Sequence, residues 1–125
     1  MKESVFDRQI ALSEYDDLPS AYDTSFIKGA ALFLHDDHLK KVGFFDEQLF
    51  VTFEEQDWCM RANSADFDLK MLKVAEVEHS GSGTMGGLCS PLSNYFPVRD
   101  ELFCVELHGS FRARLGPIKN LLDWT

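Results

Sequence analysis

The acidic run, FEEQDWCMRA at residues 53–62, places three carboxylates within four residues. Glu54, Glu55 and Asp57 follow an apolar stretch, at the predicted start of a helix over residues 54–64. Carboxylates in a first turn face the positive end of the helix dipole, which favours their ionised form. An ionised carboxylate on a rigid element can serve as a general base or as a ligand for a hard metal ion. The alternative is a solvated helix start, because acidic residues are common in first turns.

Aromatic and basic neighbours favour the chemical interpretation of the acidic run. Phe50, Phe53 and Trp58 are expected to surround the carboxylates with apolar surface, and such surroundings raise the pKa of a carboxyl group. Asp57 and Arg61 are four residues apart, a spacing that lets them pair on one face of the helix. The run therefore predicts a base and its neighbours in a cleft.

Three further motifs could carry chemistry, each with a structural alternative. His79 ends a predicted strand and opens into a glycine-rich loop at residues 80–87, where a His can bind a metal or contact a phosphate. The glycines would let backbone N–H groups approach an anion, but the loop lacks the Lys-Ser/Thr ending of a P-loop. Asp66 and Asp68 form a D-x-D triplet that could hold a divalent cation, although its position between a helix and a strand favours a turn. A structural His and a mobile surface loop are the alternatives for the first two motifs.

Apolar periodicity and turn signals predict the elements that would position these residues. The apolar run at residues 25–34 is typical of a buried strand, and Gly29 within it indicates close approach by another backbone or a ligand. Asp36 is suited to cap a short helix that Gly43 ends. Beyond the acidic run, the pattern predicts one or two short strands at 70–77, a helix at 94–107 with Pro97 near its start, and an amphipathic helix in the tail.

Length and composition describe one small globular domain. A chain of 125 residues with 45% hydrophobic residues and eleven Phe can bury a modest core. We predict an irregular acidic lead-in at residues 1–24 and a C-terminal amphipathic helix at 110–125. Between them, residues 25–109 are predicted to form an α/β domain with few short strands packed with helices.

The charge balance and the cysteines limit the classes of partner. The chain has 21 acidic and 12 basic residues, and its net charge of −9 argues against nucleic acid or an anionic membrane surface as a partner. No apolar run reaches the length of a membrane span, and the N-terminus lacks the apolar core of a signal peptide. Cys59, Cys89 and Cys104 are an odd number without metal-type spacing, so we expect free thiols and a cytoplasmic location.

Taken in order, these segments resemble the C-terminal half of family 2 glycosyltransferases, in particular the rhamnosyltransferase-like branch. The resemblance covers residues 25–105. The order and spacing of its motifs are more specific than any one of them. The matching stretches are GAALFL at 29–34, LKKVGFFDE at 39–47, the acidic run, VEHSG at 77–81, and YF with RD at 95–100.

This resemblance implies a GT-A fold, a mixed α/β sandwich, and transfer of a sugar with inversion from a nucleotide-sugar donor to a glycan or lipid-linked acceptor. In such enzymes a carboxylate deprotonates the acceptor hydroxyl, and a divalent metal, Mg or Mn, neutralises the departing diphosphate. By position, Glu55 matches the base, Glu54 the preceding acid and His79 the metal-associated His. Asp57 matches an Asp that orients the site. The residues expected to bind substrate are Gly29, Ala30 and Trp58.

Two departures from the family pattern change the expectation. The base position is usually Asp, and Glu55 moves the carboxylate by about one bond length, a displacement that can cost large factors in rate. The family's nucleotide-binding half, with its D-x-D motif, precedes the strand matched by residues 25–34, and the 24 residues before that strand are too few for it. We therefore expect the acceptor-side portion of a glycosyltransferase, inactive alone and completed by a donor-side half.

Two alternatives belong to other functional classes. The first is a binding or assembly module that kept this fold and lost the chemistry, with a protein partner or a second copy of the chain on its exposed core edge. The second is a small metal-dependent hydrolase that uses Glu54, Asp57 and His79.

Overall fold

The computed structural model describes residues 16–74, 77–79, 85–87 and 90–109. Within them the chain forms a mixed α/β arrangement, in which few short strands pack with helices as the sequence predicts. In chain order the elements are strand β1 (Ala21–Thr24), a 3-10 turn (Gly29–Ala31), helix α1 (Asp36–Val42), helix α2 (Glu54–Ser64), strand β2 (Leu69–Leu72) and helix α3 (Pro91–His108). The predicted C-terminal helix, most of the glycine-rich loop and Cys89 lie outside the described residues.

The two strands pair antiparallel in a two-stranded sheet. Tyr22 lies opposite Met71, and Asp23 lies opposite Lys70. The Lys70 ammonium donates a hydrogen bond across the strands to the Asp23 carboxylate at 2.6 Å, and this bond raises the pKa of Lys70. Both side chains are exposed, so the pair stabilises the sheet only modestly.

Helix α2 lies at the centre of the fold. Its Trp58, Cys59 and Ala62 are buried and pack with Leu69 of β2. Burial raises the pKa of Cys59, and it raises that of Cys104 on α3 to about 11, so both groups remain thiols at neutral pH. The expectation of free, buried thiols is confirmed for these two residues. Partly buried apolar side chains complete the core: Phe26, Ile27, Leu34, Leu39, Val42 and Phe67.

The prediction of a buried strand at residues 25–34 is wrong. Gly29–Ala31 form a 3-10 turn between extended residues, and Phe33 is 94% exposed. The strand lies earlier, at Ala21–Thr24, within the segment predicted as an irregular lead-in. Apolar side chains at both ends of the run pack against the core from irregular backbone, so their burial does not require a strand.

Helix α1 confirms the predicted stop but not the predicted cap. Gly43 ends the helix with φ 95°, a left-handed conformation that favours glycine. The cap is His35 rather than Asp36, because the His35 Nδ1 accepts a hydrogen bond from the Asp37 N–H at 3.2 Å. Asp36 instead becomes the first residue of the helix, where its charge faces the positive end of the dipole.

Helix α3 begins before the predicted residue 94. The Ser90 hydroxyl accepts a hydrogen bond from the Ser93 N–H at 3.0 Å, and Pro91 takes the first helical position, where a missing N–H costs no hydrogen bond. The helix continues past Pro97 to His108. Neither α3 nor any other described helix combines the length and apolar composition needed to cross a membrane.

Candidate functional site

The first turn of α2 gives its three carboxylates three different environments. The turn follows Phe53, which caps the helix without a side-chain hydrogen bond and has a left-handed backbone with φ 67°. This conformation is strained for a bulky residue. Because successive helical residues point about 100° apart, Glu54, Glu55 and Asp57 project in different directions from this turn.

Glu55 lies against the 3-10 turn and keeps a partly exposed side chain. Its Oε1 accepts a hydrogen bond from the Gly29 N–H at 3.4 Å, at an exposed position. A Cβ at position 29 would lie 3.5 Å from the Glu55 Cδ, an ordinary contact, so this packing does not require glycine. Ala30 follows on the same turn and is exposed. The structure thus brings the predicted base together with two of the predicted substrate-binding residues.

Glu54 is half-buried, and its Oε2 atom is buried without a hydrogen-bond partner in the described part of the chain. Burial raises the pKa of Glu54, although a backbone hydrogen bond at the helix start opposes this effect. Repulsion from the carboxylates of Glu55 and Asp100 raises the pKa further. A carboxyl group whose pKa is moved toward neutrality is suited to proton transfer.

Asp57 is 2% exposed and takes part in a buried ion-pair network. Arg61 donates to the Asp57 Oδ2 from Nη2 at 2.6 Å and from Nε at 2.9 Å, which confirms the predicted pair. The Nε2 of His108, at the end of α3, lies 2.7 Å from the Asp57 Oδ1. Arg61 also donates to the carbonyl oxygens of Val42 and Phe44, both at 2.8 Å. Both Asp57 oxygens are therefore engaged. Oδ1 contacts His108 at the end of α3, and Oδ2 binds Arg61, which links α2 to the last residue of α1 and to Phe44.

Trp58 is a core residue, and His79 is exposed outside the helices and strands. Trp58 is 1% exposed, and its Nε1–H donates to the Gly43 carbonyl oxygen at 2.9 Å, so its ring supports α2 from within the core. His79 is exposed in an irregular segment at 77–79. Among the described residues it makes no hydrogen bond or ion pair with the acidic run.

The D-x-D triplet forms the connection between α2 and β2, in agreement with its interpretation as a turn. Asp66 has φ 59°, and both Asp66 and Asp68 are exposed. Elsewhere in the described residues, the side chains close enough together to hold a metal ion are those of His35, Asp36 and Asp37. The Lys40 ammonium already lies 2.7 Å from the Asp36 Oδ2, so capping and surface ion pairing explain this exposed cluster.

A buried carboxylate on α3 adjoins the acidic run, and sequence reasoning gave it no role. Asp100 is 0% exposed, and its Oδ2 accepts a hydrogen bond from the Thr52 Oγ1 at 2.7 Å. Its Oδ1 accepts from the Arg99 Nε at 2.6 Å, while the Arg99 Nη2 donates to the Gln48 carbonyl oxygen at 2.8 Å. These bonds tie α3 to the chain that leads into α2. The sequence signal that could have identified Asp100 is the adjacent Arg99-Asp100 pair, which is one of the stretches in the family resemblance.

Comparison with known proteins does not identify a family for this chain. No protein family, no curated protein and no solved structure matches it. The similarity to family 2 glycosyltransferases therefore rests on the order of the sequence stretches.

Proposed function

We propose that this chain supplies the acceptor-activating part of an inverting glycosyltransferase that uses a nucleotide-sugar donor, with Glu55 as the general base. The observation that carries this proposal is the separation of roles within the acidic run. Asp57 is held in a buried ion-pair network, whereas Glu55 keeps a partly exposed carboxylate beside an exposed turn. A base must reach the hydroxyl of its substrate, and Glu55 meets this requirement.

In the proposed reaction, the Glu55 carboxylate removes the proton of the acceptor hydroxyl as that oxygen forms a bond to the anomeric carbon of the donor sugar. The bond from this carbon to the nucleotide diphosphate breaks on the opposite face, so the configuration inverts. The Gly29 N–H orients the carboxylate, and the exposed backbone at Ala30 offers a surface for the substrate beside it. Proton transfer of this kind contributes about 10²–10⁴-fold to a rate.

Two features of the helix start support a functional role. The left-handed backbone at Phe53 costs on the order of 1–3 kcal/mol, and strain of this kind concentrates at functional sites. Glu54 keeps a buried carboxyl oxygen that has no partner among the described residues, although buried polar groups are normally paired. Both features lie directly before Glu55, and neither is needed for an ordinary helix start.

The resemblance also implies Mg or Mn in the complete enzyme. The residues described here do not form a site for it, because His79 is exposed and belongs to no group of three ligand side chains among them. We therefore assign the metal to the complete enzyme, with its other ligands on the donor-side half. No step in the reaction described above depends on it.

A non-catalytic binding or assembly module is a second candidate, and the exposed apolar surface favours it. Phe33 is 94% exposed, Phe44 76% and Val74 75%, and such surface often marks a protein partner. Light scattering separates the two candidates, since a stable homodimer that forms without metal supports the module.

The metal-dependent hydrolase loses its support, because Asp57 is engaged by Arg61 and His108.

Complementation tests the proposal. The chain is mixed with the donor-binding half of a family 2 glycosyltransferase, and transfer of radiolabelled sugar from a nucleotide donor to glycan acceptors is measured. We expect transfer only when both parts are present. Absence of transfer from a folded complex of the two parts, across donors and acceptors, would contradict the proposal.

A further inference from the structure

A groove with a volume of ≈ 590 Å³ lies between the chain leading into α2 and the outer face of α3. The chain segment contributes two polar residues and one aromatic residue, and α3 contributes two aromatic residues and one Arg. The lining residues are Glu47, Gln48, Phe50, Phe96, Arg99 and Phe103. This is the size range in which proteins hold small ligands or single rings of larger ones.

The groove presents aromatic surface to solvent. The rings of Phe50 and Phe96 have their centroids 5.3 Å apart with a tilt of 38°, and Phe50 is 73% exposed. The Arg99 guanidinium lies 4.8 Å from the Phe96 ring centroid, a cation–π contact that helps to hold this ring in place. Phe50 is the exposed member of this pair, and its ring offers an apolar surface that the C–H face of a pyranose ring can match.

The charges around the groove disfavour an anionic ligand. Arg99 forms an ion pair with the fully buried Asp100 and also donates to the Gln48 carbonyl oxygen, so its positive charge is offset by a neighbouring carboxylate. Glu47 contributes an exposed carboxylate that has no ion pair with any described residue. A phosphate would meet net repulsion here, whereas the carboxylate and the Gln48 side chain can hydrogen-bond to hydroxyl groups.

The groove is joined to the acidic run by covalent and hydrogen-bonded links. Phe50 precedes Thr52 and Glu54 on one continuous segment. The Thr52 hydroxyl and Arg99 both bind the Asp100 carboxylate, which is close enough to Glu54 to repel it. A ligand in the groove is therefore linked to the start of α2 through Thr52 and Asp100.

We propose that this groove binds a neutral sugar ring of the acceptor glycan, stacked on Phe50 and Phe96 with its hydroxyls directed toward Glu47 and Gln48. The role of that sugar as an acceptor depends on the proposed transferase function, but its binding does not. The geometry thus favours an uncharged glycan acceptor over one that offers a phosphate or diphosphate to this surface.

Titration of the isolated chain tests the groove. The probes are neutral methyl glycosides of the common hexoses and 6-deoxyhexoses, each followed by backbone amide resonances in NMR. At least one glycoside should shift the resonances of Gln48, Phe50 and Arg99, and its monophosphate ester should bind about tenfold more weakly or not at all. Choline serves as a cationic probe, because an aromatic pair with a carboxylate could also select a cation.

Two matched variants test whether the exposed aromatic surface is responsible. Phe50→Ala removes a ring that is 73% exposed, and Phe44→Ala removes one that is 76% exposed but does not line the groove. We expect Phe50→Ala to weaken glycoside binding about tenfold and Phe44→Ala to leave it unchanged.

Three results would overturn this assignment: no shift at these residues up to about 50 mM glycoside, tighter binding of the phosphate or of choline, or equal loss in both variants. Glycoside binding without transfer in the complementation assay would leave the groove in place and remove the transferase function. Transfer without glycoside binding would support the transferase function and remove the groove as a sugar site.

Discussion

Glu54 and Glu55 are adjacent in sequence but differ in environment because the helix turns between them. Glu55 accepts a bond from the exposed Gly29 N–H, while the Glu54 carboxyl group is half-buried and lies near the carboxylates of both Glu55 and Asp100. The sequence predicted a raised carboxyl pKa in this run from its aromatic neighbours, and the raised pKa is found at Glu54. Its repulsive partner Asp100 could not be inferred from the sequence, because the contact depends on how α3 docks.

Glu54→Gln should raise the thermal stability of the protein at alkaline pH. The folded-state pKa of Glu54 is raised, so the fold favours the protonated carboxyl group, and the wild-type protein loses stability as the pH rises through that pKa. The variant carries no charge at this position, so it does not lose this stability as the pH rises. Below the pKa of an unfolded Glu, about 4.3, the wild-type side chain is neutral in both states and the difference should vanish.

Thermal unfolding of wild type and variant across this pH range measures the effect. Glu101→Gln, a partly exposed carboxylate within α3, serves as a matched control for loss of a negative charge. A Glu54→Gln protein that is less stable than wild type at alkaline pH would show that the buried carboxyl group is not destabilising.

At the scale of elements, α2 is fixed by the network of Asp57, Arg61 and His108. The Asp57–Arg61 pair could be predicted because it lies within one helix at a spacing of four residues. The His108 contact could not, because 51 residues separate it from Asp57 and no local rule links them. This contact joins the centre of the fold to the last residue of α3.

Asp57→Asn should destabilise the fold by about 2–3 kcal/mol, because it removes a buried carboxylate that Arg61 and His108 contact. Arg61 would keep its bonds to the Val42 and Phe44 carbonyl oxygens but lose its ion pair. Denaturant unfolding measures the cost, with Asp68→Asn as the control at an exposed position. If both variants cost the same, the network does not stabilise the fold.

Helices were predicted better than strands for a physical reason. The predicted bounds of α2 are found, and the predicted end of α1 depends on a local group, Gly43. A strand requires a partner, and the paired Asp23 and Lys70 are 47 residues apart. Apolar content alone therefore placed the first strand in the wrong segment.

At the scale of the whole molecule, the described residues bury little apolar surface and expose much. Twelve large apolar side chains are exposed, against six buried apolar residues in the core. Exposed apolar surface of this extent often marks a site that binds another protein. The resemblance to one half of a larger enzyme also predicts a protein partner for this chain.

The isolated chain should bind nucleotide sugars only weakly. Its net charge of −9 repels a diphosphate, and the Arg99 in the groove is neutralised by Asp100. Calorimetry with UDP- and dTDP-sugars in the presence of Mn should show affinities weaker than micromolar. Micromolar binding by this chain alone would mean that it holds its own donor site.

The division of roles within the acidic run is tested most directly by the transfer rate of Glu55→Gln in the complemented enzyme. We expect a loss of about 10²–10⁴-fold relative to wild type without a loss of thermal stability, because this variant removes the base and leaves the buried network intact. Glu54→Gln should lose less, since Glu54 neighbours the base. A Glu55→Gln protein that transfers sugar at the wild-type rate would contradict the assignment of Glu55 as the base.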